Sequence, residues 1–348
     1  MYEVDFLPIE SETGPGSKSG DAICMRFTVE AEQRTAIIVI DGGYSETGEA
    51  LAEHIKQHYR TAHVDLMIST HPDQDHIGGL ATAMELLDVD ELLIHEPRKH
   101  VSRVHNFSNI EAVDKLIALA RDRRVRLTEP FAGLCRFGDQ LRVLGPTQIY
   151  YEQMVRQHLD EVVSGEAAMR ARPPSQLLGK GAALLERLTA MMPMETLTDD
   201  DGTGPRNETS VVTLLEVDGH RLLFTGDAGI LALDHAADEY EAIIGPFMAR
   251  PLSFFQVPHH GSRRNLGPTI LNRMLGPKHA GYGTPSAFVS SAAADPKHPS
   301  PKVVNAVTRR GGEVCATEGR TICHYHDAPI RAGWSTLTPY GPLDEDDE

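Results

Sequence analysis

Residues 70–80 read Thr70-His71-Pro72-Asp73-Gln74-Asp75-His76-Ile77-Gly78-Gly79-Leu80, which places four side chains of metal-binding type within six positions. The apolar segment 64–69 before them predicts a buried strand. Apolar residues at helical spacing after them predict a helix over about 77–87. The four candidate ligands therefore lie in a strand-to-helix loop, where the N-terminus of the helix also favours anionic ligands.

The composition is that of an ordinary globular protein, with 41% hydrophobic and 24% charged residues in a chain of 348. This length is enough for one large α/β domain or two small ones. No apolar run is long enough to cross a bilayer, and the first residues do not resemble a signal peptide. We therefore expect a cytoplasmic protein without a membrane partner.

The net charge of −17 argues against a protein that coats nucleic acid, because phosphate contacts need clustered Lys and Arg. Part of that charge comes from the acidic tail at 344–348. It does not exclude an active site for phosphate, since bound divalent metals invert the local field. The four cysteines lack paired spacing, so we predict reduced, buried thiols.

Predicted strands and helices alternate along most of the chain, which indicates a layered α/β fold. The predicted strands cover residues 2–9, 22–29, 35–40, 64–69, 92–95, 141–144, 211–217, 221–224, 252–257, 287–290, 313–317 and 321–325, and the predicted helices cover about 51–59, 77–87, 110–120, 266–275 and the segment after Ser300. Each main cluster of candidate ligands follows a strand, so separate segments are expected to converge on one edge of a sheet.

Between about 147 and 206 the pattern changes to two apolar helical faces, one at 154–162 and one at 177–192, separated by an Arg-Pro-Pro-Ser segment. We interpret this as a helical insertion in one domain of residues 1–330, because about sixty residues bury too little surface to fold alone. Residues 331–348 form a C-terminal extension. The insertion is either surface decoration, a lid, or an arm that contacts a second copy or another protein.

The chemistry of the loop favours zinc, manganese or iron, because imidazole is a borderline ligand that suits these metals better than magnesium or calcium. His71 and Asp73 alternate and can reach one metal, whereas Asp75 and His76 lie further round the turn and can reach a second. Asp227 follows a later strand and a glycine that allows close approach. It is the candidate to bridge two metals, which would hold a hydroxide between them at neutral pH.

The motif at 71–76 resembles the H-x-[HD]-x-D-H motif of the metallo-β-lactamase fold, in the variant with Asp at the second ligand. Together with other segments it is similar to the soluble hydrolase domain of the DNA-uptake protein ComEC. Those segments are Ser19-Gly20-Asp21-Ala22, Asp41-Gly42-Gly43, Asn207-Glu208-Thr209-Ser210, Thr225-Gly226-Asp227, His259-His260-Gly261-Ser262 and Lys297-His298-Pro299-Ser300.

The resemblance implies a four-layer αββα sandwich with a dinuclear site of two divalent ions, Zn²⁺ or Mn²⁺. It assigns the first metal to His71, Asp73 and Asp227, and the second to Asp75, His76 and Asp227. The last ligand falls in the pair His259-His260, and relatives favour the His that precedes Gly, which is His260; the reverse order stays open.

Many relatives place a third His on the first metal, and Asn207 occupies that position here. An Asn carbonyl is a weaker ligand, so the affinity and identity of the first metal stay open.

The resemblance also implies a phosphodiester substrate, which includes DNA or RNA. Candidates for direct participation in catalysis are Asp75, His259 and His298, and Ser262, Arg263 and Arg264 are candidates for substrate contacts. The alternative is that the two arginines begin the next helix and that Ser262 is its N-cap.

Three functional hypotheses follow. The leading one is a metal-dependent phosphodiesterase, which includes a nuclease. The second is a small-molecule hydrolase acting on a lactone, thioester or cyclic nucleotide, and the third is a non-enzymatic module of a larger assembly.

Overall fold

The two faces of each long strand carry different parts of the core. In the computed structural model, which describes residues 1–10, 18–102, 104, 107–164 and 195–345, Ile37 and Val39 pack with one set of helices. Their neighbours Ile38 and Ile40 face a second sheet. Because successive side chains of a strand point to opposite faces, an apolar strand of this kind must be covered on both sides.

Two seven-stranded sheets satisfy this requirement. The strands are β1 Tyr2–Phe6, β2 Ala22–Val29, β3 Arg34–Gly42, β4 His63–Val64, β5 Leu66–Ile68, β6 Asp88–Val89, β7 Glu91–Leu93, β8 Arg126–Thr128, β9 Cys135–Arg136, β10 Leu141–Gly145, β11 Val212–Val217, β12 His220–Phe224, β13 Phe254–Gln256, β14 Ser286–Val289, β15 Glu313–Ala316 and β16 Ile322–His326. The first sheet has the order β16-β1-β2-β3-β5-β7-β8, and the second has the order β15-β14-β13-β12-β11-β10-β9. Strands β4 and β6 form a separate parallel pair.

Helices cover the outer face of each sheet, so the predicted four-layer αββα sandwich is confirmed. The helices are α1 Thr47–His54, α2 Gln74–Ile77, α3 Leu80–Leu86, α4 Pro97–His100, α5 Ile110–Asp122, α6 Gln148–Ser164, α7 Ile230–Ile243, α8 Pro268–Leu275 and α9 Pro301–Thr308. Side chains of α1, α3 and α5 pack on the first sheet. Those of α7, α8 and α9 pack on the second. Among the described residues, no helix has the length and apolarity needed to span a membrane.

The strand ends that carry polar clusters lie at one edge of the sandwich. Strands β3 and β5 are parallel in the first sheet, and β12, β13 and β14 are parallel in the second. Their carboxyl ends lead directly into the segments 41–43, 69–76, 225–227, 257–262 and 290–291. The topology therefore brings these five segments together, as expected for parallel strands.

The single helix predicted over about 77–87 is wrong, because the chain forms two short helices, α2 and α3, separated at Gly78 and Gly79. The reason is a close approach of two backbones. A Cβ atom on Gly79 would lie 2.1 Å from the carbonyl oxygen of Gly42. The backbone N–H of Gly79 donates to the carbonyl oxygen of Gly43 at 3.0 Å, and the carbonyl oxygen of Asp75 accepts from Asp21, so the helix cannot continue through this point.

The described part of the predicted insertion is attached to both halves of the sandwich. On α6, Tyr151 and Val155 pack with the helices of the first sheet. Tyr150 and Met154 pack with those of the second. This first half is therefore part of the core, whereas the predicted second helix over 177–192 lies outside the described residues.

The C-terminal extension packs on the domain through ion pairs with buried carboxylates. Arg331 binds Asp5 of β1, with Nη2 2.8 Å from Oδ2. Glu345, which is 5% exposed, accepts hydrogen bonds from the backbone and hydroxyl of Thr196 and forms an ion pair with Arg309 at 2.8 Å. The four cysteines are free thiols, as predicted, although only Cys24 and Cys315 are buried.

Gly79→Ala should destabilise the protein by about 2 kcal/mol or more, because overpacking at a rigid backbone contact forces both loops to move. Gly341→Ala is the matched control, since a Cβ there meets no atom within 4 Å. Urea unfolding of both variants measures the difference. Equal free energies of unfolding for the two variants would contradict the close approach.

The environment of His95 predicts that the free energy of unfolding depends on pH. Its ring is stacked on Tyr151 at 4.2 Å, and neither ring nitrogen has a hydrogen-bond partner among the described residues. Burial, with a contribution from His100, lowers the pKa of His95 to about 3. The folded protein therefore keeps this ring neutral, and its contribution to stability is lost as the pH falls from the unfolded value of about 6.5 towards that of the folded state.

His95→Phe should remove this dependence. Between pH 7 and pH 5 the free energy of unfolding of the variant should rise relative to wild type by about 2 kcal/mol. Urea unfolding at both pH values, with a chelator present to remove any metal contribution, tests it. A constant difference between the two proteins would show that His95 is solvated or paired.

Candidate metal centre

His76 is held by a carboxylate from the first sheet. Its Nδ1 donates to Oδ2 of Asp41 at 2.7 Å, and Oδ1 of Asp41 accepts the backbone N–H of Thr70 at 2.8 Å. This pairing fixes the tautomer and turns Nε2 towards Asp227, with 3.2 Å to Oδ1. Burial lowers the pKa of His76, but Asp227 and Asp41 outweigh it and raise the pKa well above its usual value.

The two histidines of the pair at 259–260 have different environments. His260 is 4% exposed, and its Nδ1 donates to the carbonyl oxygen of Ser290 at 3.0 Å. Its Nε2 lies 3.6 Å from Oδ2 of Asp75. The side chain of His259 is 32% exposed, and its Nε2 lies 3.6 Å from Oδ2 of Asp227. The structure thus places His260 inside the cluster and His259 at its rim.

Asp227 lies at the centre of the cluster. Its Oδ2 is 3.6 Å from Nε2 of His71, and its backbone N–H donates to Oγ of Ser210 at 3.2 Å. Burial raises the pKa of the carboxyl, but His259, His76 and His71 outweigh it and hold the pKa well below its usual value. The preceding Gly226 has φ +51°, and a Cβ there would lie 3.0 Å from Cβ of Thr70. This is the close approach that was predicted.

The residues of the second predicted metal position fit a divalent ion. Ligand atoms of Asp75, His76 and His260 all lie within 4.8 Å of one another. Nε2 of His76 and Oδ1 of Asp227 lie 3.2 Å apart but do not form a hydrogen bond. Among the described residues, both atoms and Nε2 of His260 are therefore buried without a hydrogen-bond partner. A buried polar atom without a partner is costly, and a cation would satisfy all three. These four side chains could therefore hold one metal.

The first predicted position fits less well. His71 is present, with Nε2 3.6 Å from Asp227. Asp73 instead pairs with Arg206, whose Nε lies 2.6 Å from Oδ1 and whose Nη2 donates to Oδ2 at 2.9 Å. Asn207 directs its amide nitrogen at Oδ2 of Asp227, 3.2 Å away. As placed, Asn207 is a hydrogen-bond donor to Asp227.

Two further carboxylates and an amide support the cluster and were not among the predicted site residues. Asp41 orients His76, and Asp21 lies 3.8 Å from Nδ1 of both His76 and His260. Gln256 on β13 donates to Oδ2 of Asp21 at 2.8 Å. Burial raises the pKa of Asp21. The signal in the sequence was present, since both acids belong to the Gly-Asp-Ala and Asp-Gly-Gly segments.

The predicted substrate residues lie beside the pair at 259–260, but not as parts of a helix. Helix α8 begins at Pro268 with Gly267 as its N-cap. The alternatives that Arg263 and Arg264 begin this helix and that Ser262 caps it are therefore wrong. Both arginines are exposed, whereas Ser262 is 6% exposed.

His298 also lies at this rim. Its ring is nearly parallel to that of His259, with 6.1 Å between centroids, and its Nδ1 lies 3.1 Å from Oδ2 of Asp295. Burial, together with His260, lowers the pKa of His298. A largely neutral imidazole is thus positioned next to the half-exposed His259.

The chain is similar to one known superfamily of proteins. The profile of the Metallo-beta-lactamase superfamily matches residues 27–278. A Thermotoga maritima structure assigned as a metallo-beta-lactamase is 12% identical, with a TM-score of 0.34 over 65% of this chain and 78% of its own. A metallo-beta-lactamase from Hirschia baltica is 11% identical, with a TM-score of 0.29 over 69% and 80%.

No curated protein matches the chain. The assignment rests on the superfamily profile, which spans more than half of the sequence and both halves of the ligand set up to His260. The chain belongs to the metallo-beta-lactamase superfamily.

Proposed function

We propose that this protein is a metal-dependent hydrolase that cleaves phosphodiesters. The observation that carries the proposal is a buried ligand set, formed by Asp75, His76, Asp227 and His260, that meets solvent beside the half-exposed imidazole of His259. A divalent ion there, Zn²⁺ or Mn²⁺, would polarise a phosphoryl oxygen and make a water molecule more acidic. Arg263, Arg264 and His298 supply basic groups at the rim, which suits an anionic substrate.

His259 is positioned to transfer a proton. Its Nδ1 lies 2.9 Å from Oδ1 of Asn265, and the amide of Asn265 is oriented by its own N–H donated to the carbonyl oxygen of Asp227 at 2.8 Å. Nδ1 therefore carries a proton, and Nε2 faces the cluster. An imidazole in this state takes a proton at Nε2 from water or, once protonated, gives it to a leaving oxygen.

Two arginines beside the pair at 259–260 support an anionic substrate. Arg263 and Arg264 are exposed on the turn that follows Gly261. Guanidinium groups bind phosphate oxygens through two parallel N–H bonds. The similarity of the motif set to the ComEC hydrolase domain also favours phosphodiesters, including DNA or RNA. The net charge of −17 favours a compact substrate over a long polymer, and a small-molecule hydrolase is the second candidate.

Metal removal should abolish hydrolysis of bis-p-nitrophenyl phosphate, and Zn²⁺ or Mn²⁺ should restore it. Asp75→Asn should lose activity in either metal, because it removes one ligand of the converged set. The release of p-nitrophenolate measures both effects. Wild-type protein that contains metal yet cleaves no phosphodiester, while hydrolysing a lactone or thioester, would replace this substrate class with the second candidate.

Substitutions at His259 and His260 should separate metal binding from proton transfer. His259→Gln should keep its metal but lose hydrolysis by roughly 10²-fold or more, as expected for loss of a general acid–base group. His260→Gln should lose metal. Elemental analysis beside the kinetic assay checks this assignment, and the opposite result would make His259 the ligand.

A further inference from the structure

The first metal position contains a guanidinium group. Arg206 approaches Asp73 with two nitrogens, Nε at 2.6 Å from Oδ1 and Nη2 at 2.9 Å from Oδ2. Both carboxylate oxygens therefore face the same positive charge, although only Oδ2 accepts a hydrogen bond from it. Arginine stays protonated at any pH relevant to a folded protein, so this positive charge is permanent.

The neighbouring Asn207 does not replace the missing imidazole ligand. Its amide nitrogen lies 3.2 Å from Oδ2 of Asp227 and 3.3 Å from Nδ1 of His259. The contact with Asp227 is that of a donor, and an NH₂ group cannot bind a cation. The carboxylate oxygen that would face a first metal thus already accepts a hydrogen bond.

The two positions differ in how their atoms converge. Asp75, His76 and His260 bring ligand atoms within 4.8 Å of one another, but among the described residues no such group of three includes Asp73. Nε2 of His71 lies 3.8 Å from Asp73 and 3.6 Å from Asp227. These three residues nevertheless do not form a group of converging ligand atoms. The second position brings three ligand atoms together, whereas at the first position Nε2 of His71 and Oδ1 of Asp73, which also lack a hydrogen-bond partner among the described residues, have the guanidinium of Arg206 beside them.

We propose that the protein binds one divalent ion, at the second position, and that the guanidinium of Arg206 supplies the positive charge at the first. The charge excludes a second ion because two cations a few ångströms apart repel strongly in a buried site. The dinuclear centre implied by the family resemblance would then be reduced to a single metal. This inference rests on the metal dependence of the proposed function and not on its substrate.

The experiment counts metal ions per chain. Wild-type protein, Asn207→His and the double variant Arg206→Met/Asn207→His are saturated with Zn²⁺ or Mn²⁺, desalted and analysed by mass spectrometry of the elements. Wild type and Asn207→His should each retain one ion, because Arg206 is still present. The double variant should retain two, since it exchanges the guanidinium for an uncharged chain and adds an imidazole.

The rival arrangement is one in which Arg206 only orients Asp73 towards a first metal. It predicts two ions in the wild type, and that count would overturn the proposal. A double variant that still holds one ion would also overturn it, because the guanidinium would not be what excludes the second.

If the double variant does not fold, single substitutions in the wild type provide the same decision. Asp73→Asn should keep its one ion, and Asp75→Asn should lose it. Loss of an ion in Asp73→Asn would make Asp73 a ligand and contradict the proposal. Counting the metal ions needs no substrate. A protein that binds one ion but has no phosphodiesterase activity would therefore contradict the proposed substrate and still agree with this inference.

Discussion

The carboxylate of Asp227 is almost completely removed from water, and the architecture of the site follows from how that charge is compensated. A buried anion is costly unless it is paired. Here three imidazoles surround it, from His71, His76 and His259. They arrive from both sheets, so the charge can be stabilised only when the two halves of the sandwich are assembled. The same arrangement leaves ligand atoms directed at a common point.

Much of the fold could be predicted because its signals are local. The alternation of apolar strands and amphipathic helices survives in the structure, and the ligand loop at 70–80 does follow a buried strand. The error at Gly78 and Gly79 was also local in appearance, but its cause is a loop more than thirty positions earlier, at Gly42. A helical pattern shows which residues face the core and not which backbone must pass against the helix.

The candidate site shows the same limit more sharply. The types of its metal ligands could be predicted because His and Asp at such density have few structural explanations. The partner of Asp73 could not be predicted, since Arg206 is 133 positions away and is one arginine among many. Pairing across that distance depends on where α6 and the turn at 206 are placed, which no local pattern records. Asp21 and Asp41 were missed as site residues although their segments belong to the family resemblance, because they act on histidines that come from other parts of the chain.

The bonds of Glu345 bear on how this fold tolerates change in length. The end of the described chain is tied to Thr196, where the chain returns from the insertion, and α6 is fixed on both outer layers where the insertion begins. Both ends of the intervening segment are thus anchored independently of its content. Since the entropy of closing a loop grows only by about 0.6 kcal/mol for each doubling of its length, the segment can be lengthened, shortened or exchanged at little cost to the sandwich. Accessory surfaces can therefore diversify there while the edge that carries the candidate site stays unchanged.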